Sequence, residues 1–178
     1  MNLLESQDWL NRVVDTYHKK LETTPKALEY LNQRGIIHPE VIDRFKIGYC
    51  DNTLHKILPG AKTAKGKEIR THLKEKGILN RQGHEVFKGC LTVPLKNDLG
   101  ELTDIYGRRA KEVIDDLKHL YLTPTPSGFF NLEAFEAKEL ILCGSITDAI
   151  SFWIHGFQNV LVSFPTDKIS SQLETLLD

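Results

Sequence analysis

The chain has 178 residues, of which 40% are hydrophobic, enough to bury the core of one compact unit or two small ones without help from a metal or a disulfide. Its net charge of −1 is uninformative about nucleic acid. The apolar runs fall well short of a membrane span, and no basic segment leads into an apolar run at the N-terminus, so neither a membrane nor a secretory protein is expected. Cys50, Cys90 and Cys143 lie far apart, with no CxxC or Cys/His spacing. That pattern points to reduced thiols in the cytoplasm and away from zinc.

In chain order, Ser6 is placed to cap an amphipathic helix whose Leu10, Val13, Val14, Tyr17 and Leu21 recur at helical spacing. Thr24-Pro25 then reads as a cap with proline at the first helical position. The second helix carries Ala27, Leu28 and Leu31 and stops at Gly35. Pro39 opens a short helix through Ile42, and Phe45 to Tyr49 reads as a strand or extended turn. A basic stretch follows, in which Lys56, Lys62, Lys65, Lys67, Arg70, Lys74, Lys76 and Arg81 face only Glu68 and Glu75. From Asn131 onward acids dominate. A basic middle beside an acidic end makes a polarised molecule whose middle can meet phosphates. Within the basic stretch a helix is predicted from about Lys67 to Lys76, with Gly77 as its stop and a narrow apolar stripe at Ile69 and Leu73.

Cys90 to Leu95 reads as a strand that Pro94 assigns to a sheet edge. Asn97 to Gly100 is a turn, and Leu102 to Tyr106 returns as the second strand of a hairpin. Thr123 to Gly128 is the clearest loop or linker, and it divides the chain into units at 1–125 and 126–178. Beyond it, strand Glu139–Cys143, helix Ser145–His155, strand Asn159–Ser163 and helix Lys168–Leu177 imply a parallel sheet with right-handed crossovers.

Three stretches, in this order, resemble the catalytic core of DnaG-type DNA primases. Residues 27–50 (ALEYLNQRGIIHPEVIDRFKIGYC) are similar to the family's helix ending in Arg-Gly, short helix and Phe-x-Ile-Gly-Tyr strand. Residues 86–109 (VFKGCLTVPLKNDLGELTDIYGRR) resemble its hairpin, which ends in an aromatic-Gly-Arg signature. Residues 140–163 (LILCGSITDAISFWIHGFQNVLVS) resemble the opening half of a TOPRIM domain. The segment HLYLTPTPSGFFN, just ahead of it, resembles the primases of phages and integrated mobile elements. The resemblance implies an α/β fold: a mixed α+β N-terminal lobe, then an incomplete TOPRIM-like βαβα unit. It also implies RNA primer synthesis on single-stranded DNA, with Mg²⁺ or Mn²⁺ held by clustered carboxylates, and a replicative helicase as partner.

The chain departs from that pattern on its catalytic side. Gly144 stands where the family has a glutamate, and the sequence reaches Asp178 before the strand that would present the later aspartates. No Cys/His zinc module precedes the core, and Cys90 and Leu120 stand where basic residues are usual. A primase-core piece inactive by itself is therefore expected. The alternative is a non-catalytic binder of single-stranded DNA or of a replication partner. An unrelated nucleotide-binding fragment would need a glycine-rich phosphate loop, which the chain lacks.

Each candidate residue has a plainer reading beside the functional one. Gly144 is a substituted glutamate or simply a small residue that allows a tight strand-to-helix turn. Asp148 is a surviving acid of the site or an early-helix carboxylate favoured by the macrodipole. Arg108, Arg109 and Lys88 contact phosphates or guard a strand edge. Lys65, Lys67 and Arg70 contact nucleic acid or form a solvated helix face. Tyr121 stacks on a base or belongs to the core, as Phe129 does. The seven histidines show no metal spacing. Finally, two parallel strands are expected to leave an edge and an apolar face open at Leu140–Leu142 and Val160–Val162. This predicts self-association or a second chain that completes the sheet, with the second strand as the contact.

Overall fold

The computed structural model describes residues 2–110, 119–162 and Glu174. Apart from Glu174, the helix expected over Lys168–Leu177 lies outside the described residues.

Helix α1 (Leu3–Glu22) begins earlier than its apolar periodicity suggests. Asn2, not Ser6, is the cap: its side chain accepts from the Glu5 N–H at 2.8 Å, and the Glu5 carboxylate accepts from the Asn2 N–H in return. Leu3 and Leu4 are 74% and 82% exposed, so the first turn carries no core-facing signal. Ser6 is instead buried inside the helix, 2.9 Å from His72. Helix α2 (Pro25–Gln33) has its proline in the first turn, and Gly35 follows with φ +67°. Helix α3 (Pro39–Arg44) leads into strand β1 (Gly48–Tyr49). A β-carbon on Gly48 would lie 2.6 Å from the Tyr17 carbonyl carbon, so glycine is what lets β1 lie directly against α1.

Helix α4 (Ala64–Glu75) is capped by Thr63, whose hydroxyl accepts from the Gly66 N–H, and so starts three residues before Lys67. Its Ile69 and Leu73 are fully buried, as the narrow stripe requires. Strands β2 (Cys90–Lys96), β3 (Leu102–Arg109) and β4 (His119–Leu120) complete an antiparallel sheet in the order β1-β2-β3-β4. The edge assignment of Pro94 needs correcting, because β2 is an interior strand. Yet β1 pairs only with Leu91 and Thr92, so Pro94 sits where β2 has no neighbour on that side and its missing N–H costs no ladder bond.

Beyond the 123–128 loop come β5 (Ile141–Cys143), helix α5 (Ile146–Ile154) and β6 (Val160–Val162), with β5 and β6 parallel. One apolar cluster runs from Leu31, Phe45 and Val93 to Ile150, Trp153 and Val162, joining the antiparallel sheet to the parallel pair. Phe45 packs 4.2 Å from Phe130 and edge-on to Trp153 at 5.7 Å. A second cluster fills the other side of the antiparallel sheet, under α1 and α4, around Val13, Ile69, Phe87 and Ile105.

The open strand expected at β6 is not open. Val160, Leu161 and Val162 are all buried, and a 3-10 turn (Leu132–Glu136) packs Ala134 with Leu161 and Phe129. The Asn131 amide donates to the Gln158 and Val160 carbonyls at 2.8 and 3.0 Å, where a neighbouring strand would bond. Asn159, for which the sequence suggests no role, donates to the Glu139 carbonyl and ties the start of β6 to β5. Exposure instead falls on β5, where Leu142 is 42% accessible. No helix among the described residues is long and apolar enough to cross a membrane.

Candidate functional site

A cleft of about 640 Å³ opens where the end of β3 faces the turn after β5. The carboxyl end of a parallel strand is where open α/β sheets receive ligands. Its first wall is built on Arg108. The Arg108 Nε donates to the Tyr30 hydroxyl of α2 at 2.7 Å, and Nη1 lies 3.3 Å from His119 Nε2. A guanidinium can only donate, so His119 Nε2 accepts; Nδ1 then carries the ring proton and donates to the Tyr106 hydroxyl at 2.8 Å. Burial opposes the Arg108 charge, but the Tyr30 and Tyr106 hydroxyls outweigh it and raise the pKa above its ordinary value. Arg34 joins this wall at the C-cap of α2, its guanidinium 5.2 Å from the same Tyr30 ring. One tyrosine therefore positions two arginines.

The opposite wall is Gly144 and the first turn of α5. A β-carbon on Gly144 would meet nothing within 4 Å, and its φ lies outside the left-handed region. Among the described residues, no packing in this turn requires glycine. Ser145 caps α5: its hydroxyl accepts from the Asp148 N–H at 3.1 Å and donates to the Asp148 carboxylate at 2.8 Å. Asp148 thus lines the cleft but is already engaged in capping its own helix.

The third wall is the loop carrying Pro124 and Pro126, and Asp104 holds it. This β3 carboxylate is fully buried and accepts from the N–H groups of Ile105 and Leu122, from the Thr123 hydroxyl at 2.9 Å, and from the Ser127 N–H at 3.4 Å. Burial pushes its pKa up, against the pull of these bonds. Tyr121 completes the lining, half-buried and 5.6 Å from the Tyr106 ring. Burial, then Tyr106 and Asp104, raise the pKa of its hydroxyl.

The structure therefore brings together Arg108, Tyr121, Gly144 and Asp148 of the candidates read from sequence, and adds Arg34, His119 and Asp104. Arg34 is visible in the sequence as part of the Arg-Gly helix stop. His119 and Asp104 have no local signal. Phe129 is core, packed on Phe135. Arg109 alternates with Arg108 along β3 and so points to the other face, opposite Cys90 in register. Burial raises the Cys90 pKa to about 11, although the Arg109 charge lowers it. Lys88 is exposed in the turn before β2.

Lys65, Lys67 and Arg70 ride on α4, which packs on the α1 side of the sheet, away from the cleft. Lys65 pairs with Glu5 and Glu68 at 3.4 and 3.7 Å. Arg70 donates to the carbonyls of Pro59 and Gly66, so its guanidinium holds backbone. Among the described residues no group of three or more His, Cys, Asp or Glu side chains could hold a metal ion. Among the described residues, the cleft's donor set does not fit Mg²⁺ or Mn²⁺, which need several hard oxygen ligands where this wall offers one engaged carboxylate.

The family model for the DNA primase catalytic core, N-terminal domain, matches residues 16–131. The chain belongs to the DNA primase catalytic-core family. A DNA primase of Haemophilus influenzae is 26% identical over 184 residues, a match covering 94% of this chain and 30% of the relative. A DNA primase of Pasteurella multocida matches to the same extent. Among solved structures, a DNA primase domain from Pseudomonas aeruginosa superposes with a TM-score of 0.78 at 20% identity, covering 97% of this chain and 58% of that one. A DnaG primase catalytic domain bound to single-stranded DNA gives 0.76 at 22% identity, over 97% of this chain and 59% of that one. At such identities the superpositions establish the primase-core fold, in agreement with the mixed α+β architecture expected from sequence. The chain spans about 30% of the length of the curated primases it matches.

Proposed function

We propose that this chain is a DnaG-type primase-core piece that engages single-stranded DNA through the Arg108 cleft and does not synthesise primers by itself. The observation that carries the reading is Gly144: it faces a preset arginine across an open cleft, and no packing among the described residues demands a glycine there, consistent with the resemblance that assigns it the family's glutamate position. The family membership and the single-stranded DNA held by the structurally similar DnaG domain support the choice of ligand. The units proposed for this function are the lobe over 1–125 and the TOPRIM-like part from 126 onward, with Arg108 on the first and Gly144 on the second.

The test uses the 178-residue chain on a single-stranded template with ribonucleotides and Mg²⁺. No primer product is expected, and Gly144→Glu alone should yield none, since one added carboxylate beside Asp148 does not make a metal site. Binding to the template should be weak and should fall with salt, by roughly 0.7 in log K per log unit of salt for each phosphate contact. The variant Arg108→Ala should lower both the affinity and that slope. Measurable primer synthesis, or DNA binding indifferent to Arg108, would refute the proposal.

A further inference from the structure

We infer that the cleft is a metal-independent site for a phosphate-bearing anion, a pyrophosphate or a terminal phosphomonoester, recognised directly by Arg108 and Arg34. This rests on the proposed location of the functional site and goes beyond it by naming the ligand chemistry and how it differs from metal-mediated capture. Where carboxylates line such a cleft, a divalent cation must stand between them and the phosphate, because like charges repel. Here that side is Gly144, with open space in front of it. Asp148, across from the arginines, has a carboxylate oxygen bonded by Ser145. Arg34, Arg108 and His119 line the opposite wall. Among the described residues the lining sets two guanidiniums, Arg34 and Arg108, against the one Asp148 carboxylate, so a positive surplus faces the ligand without a metal.

The arginine wall is also built in advance. Arg108 is held by the Tyr30 hydroxyl through Nε, by His119 at Nη1 and by the Tyr106 hydroxyl, yet a guanidinium has five N–H donors, more than these three partners use. A side chain already fixed in place loses little freedom when it binds, and charge-assisted bonds to phosphate oxygens are the stronger kind. The cleft volume of about 640 Å³ lies within the range of small-molecule sites and admits a polyphosphate or a strand end. The Ser145 and Thr147 hydroxyls supply neutral polar contacts on the far side.

The experiment measures binding of pyrophosphate, and of one oligonucleotide with and without a 5′-phosphate, in EDTA and in Mg²⁺. Pyrophosphate should bind in EDTA at least as tightly as in Mg²⁺. Arg108→Gln should weaken it tenfold or more, and Arg34→Gln, at an exposed helix end, should do so without disturbing the fold. Gly144→Glu should weaken binding in EDTA and in Mg²⁺ alike, since it adds a negative charge facing the anion without making a metal site. A preference for the 5′-phosphorylated strand would assign the site to a strand end, and equal binding of both strands beside tight pyrophosphate binding would assign it to a free polyphosphate. Pyrophosphate binding that needs Mg²⁺, or that survives both arginine variants, would overturn the inference. If the unphosphorylated strand still binds through Arg108 in that case, the proposed function stands while the metal-independent site falls.

Discussion

Asp104 shows what one residue contributes when its partners are remote in sequence. In the string LTDIYGRR it is a polar position of a strand, with no hint that Leu122, Thr123 and Ser127 will bring donors to it. Replacing it by Asn leaves two of its acceptor bonds unmade, at a cost of about 1–3 kcal/mol. Burial raises its pKa in the folded chain, so its contribution is fully present below the ordinary carboxyl range near 4 and declines as pH rises through the higher folded value. Thermal melts of Asp104→Asn against the parent should therefore show a larger deficit near pH 4 than near pH 7. A deficit that grows with pH would reverse that assignment. Gly144 is the contrasting case, because the expectation about it comes from its setting in residues 140–163 alone. What the sequence lacks is the empty space around it, which only the packed structure shows.

At the scale of elements, periodicity locates α1, α2, α3 and α4 but misplaces two starts, since Asn2 and Thr63 cap through side-chain bonds that apolar spacing does not report. The β2–β3 hairpin is legible from its turn, Asn97 to Gly100, where the Asn97 side chain accepts from the N–H groups of Leu99 and Glu101. The basic stretch looks uniform in sequence and divides in the fold. Lys65 and Lys67 stand in solvent on α4, whereas Arg70 is bonded to Pro59 and Gly66. Substituting Lys65 and Lys67 with Ala should flatten the salt dependence of single-strand binding by about 0.7 for each phosphate no longer neutralised, and leave the melting temperature alone. Arg70→Ala should do the opposite, lowering the melting temperature with little effect on the slope. If the lysine pair changes nothing in binding, α4 is a solvated face.

For the molecule as a whole, alternating strands and helices predict the right layers, yet not how the layers close. The 123–128 segment reads as a linker because it is rich in Thr, Pro and Gly, but Asp104 straps it to β3 and one apolar cluster runs past it from Leu31 to Val162. Local composition reports chain flexibility, whereas closure depends on contacts between residues about a hundred positions apart. The same limit applies to β6, whose apolar run looks in sequence like an unfinished face and is filled by Ala134, Phe129 and the first cluster.

Asn131 gives that closure a direction. Its amide occupies the outer carbonyls of Gln158 and Val160, so it acts as a one-residue stand-in for a strand. Among the described residues β5 pairs only with β6, so its other edge is where a further strand can add. On the β6 side, an added strand would first have to displace the Asn131 amide from the Val160 carbonyl. Asn131→Leu keeps the bulk and strips the donors, leaving the Val160 carbonyl bare on a buried apolar strand and the Gln158 carbonyl bare just ahead of it. Sedimentation of that variant should show concentration-dependent association beyond that of the parent chain, and identical profiles would mean that the stand-in is dispensable. In the parent chain, one amide takes two outer carbonyls that an arriving strand would otherwise use.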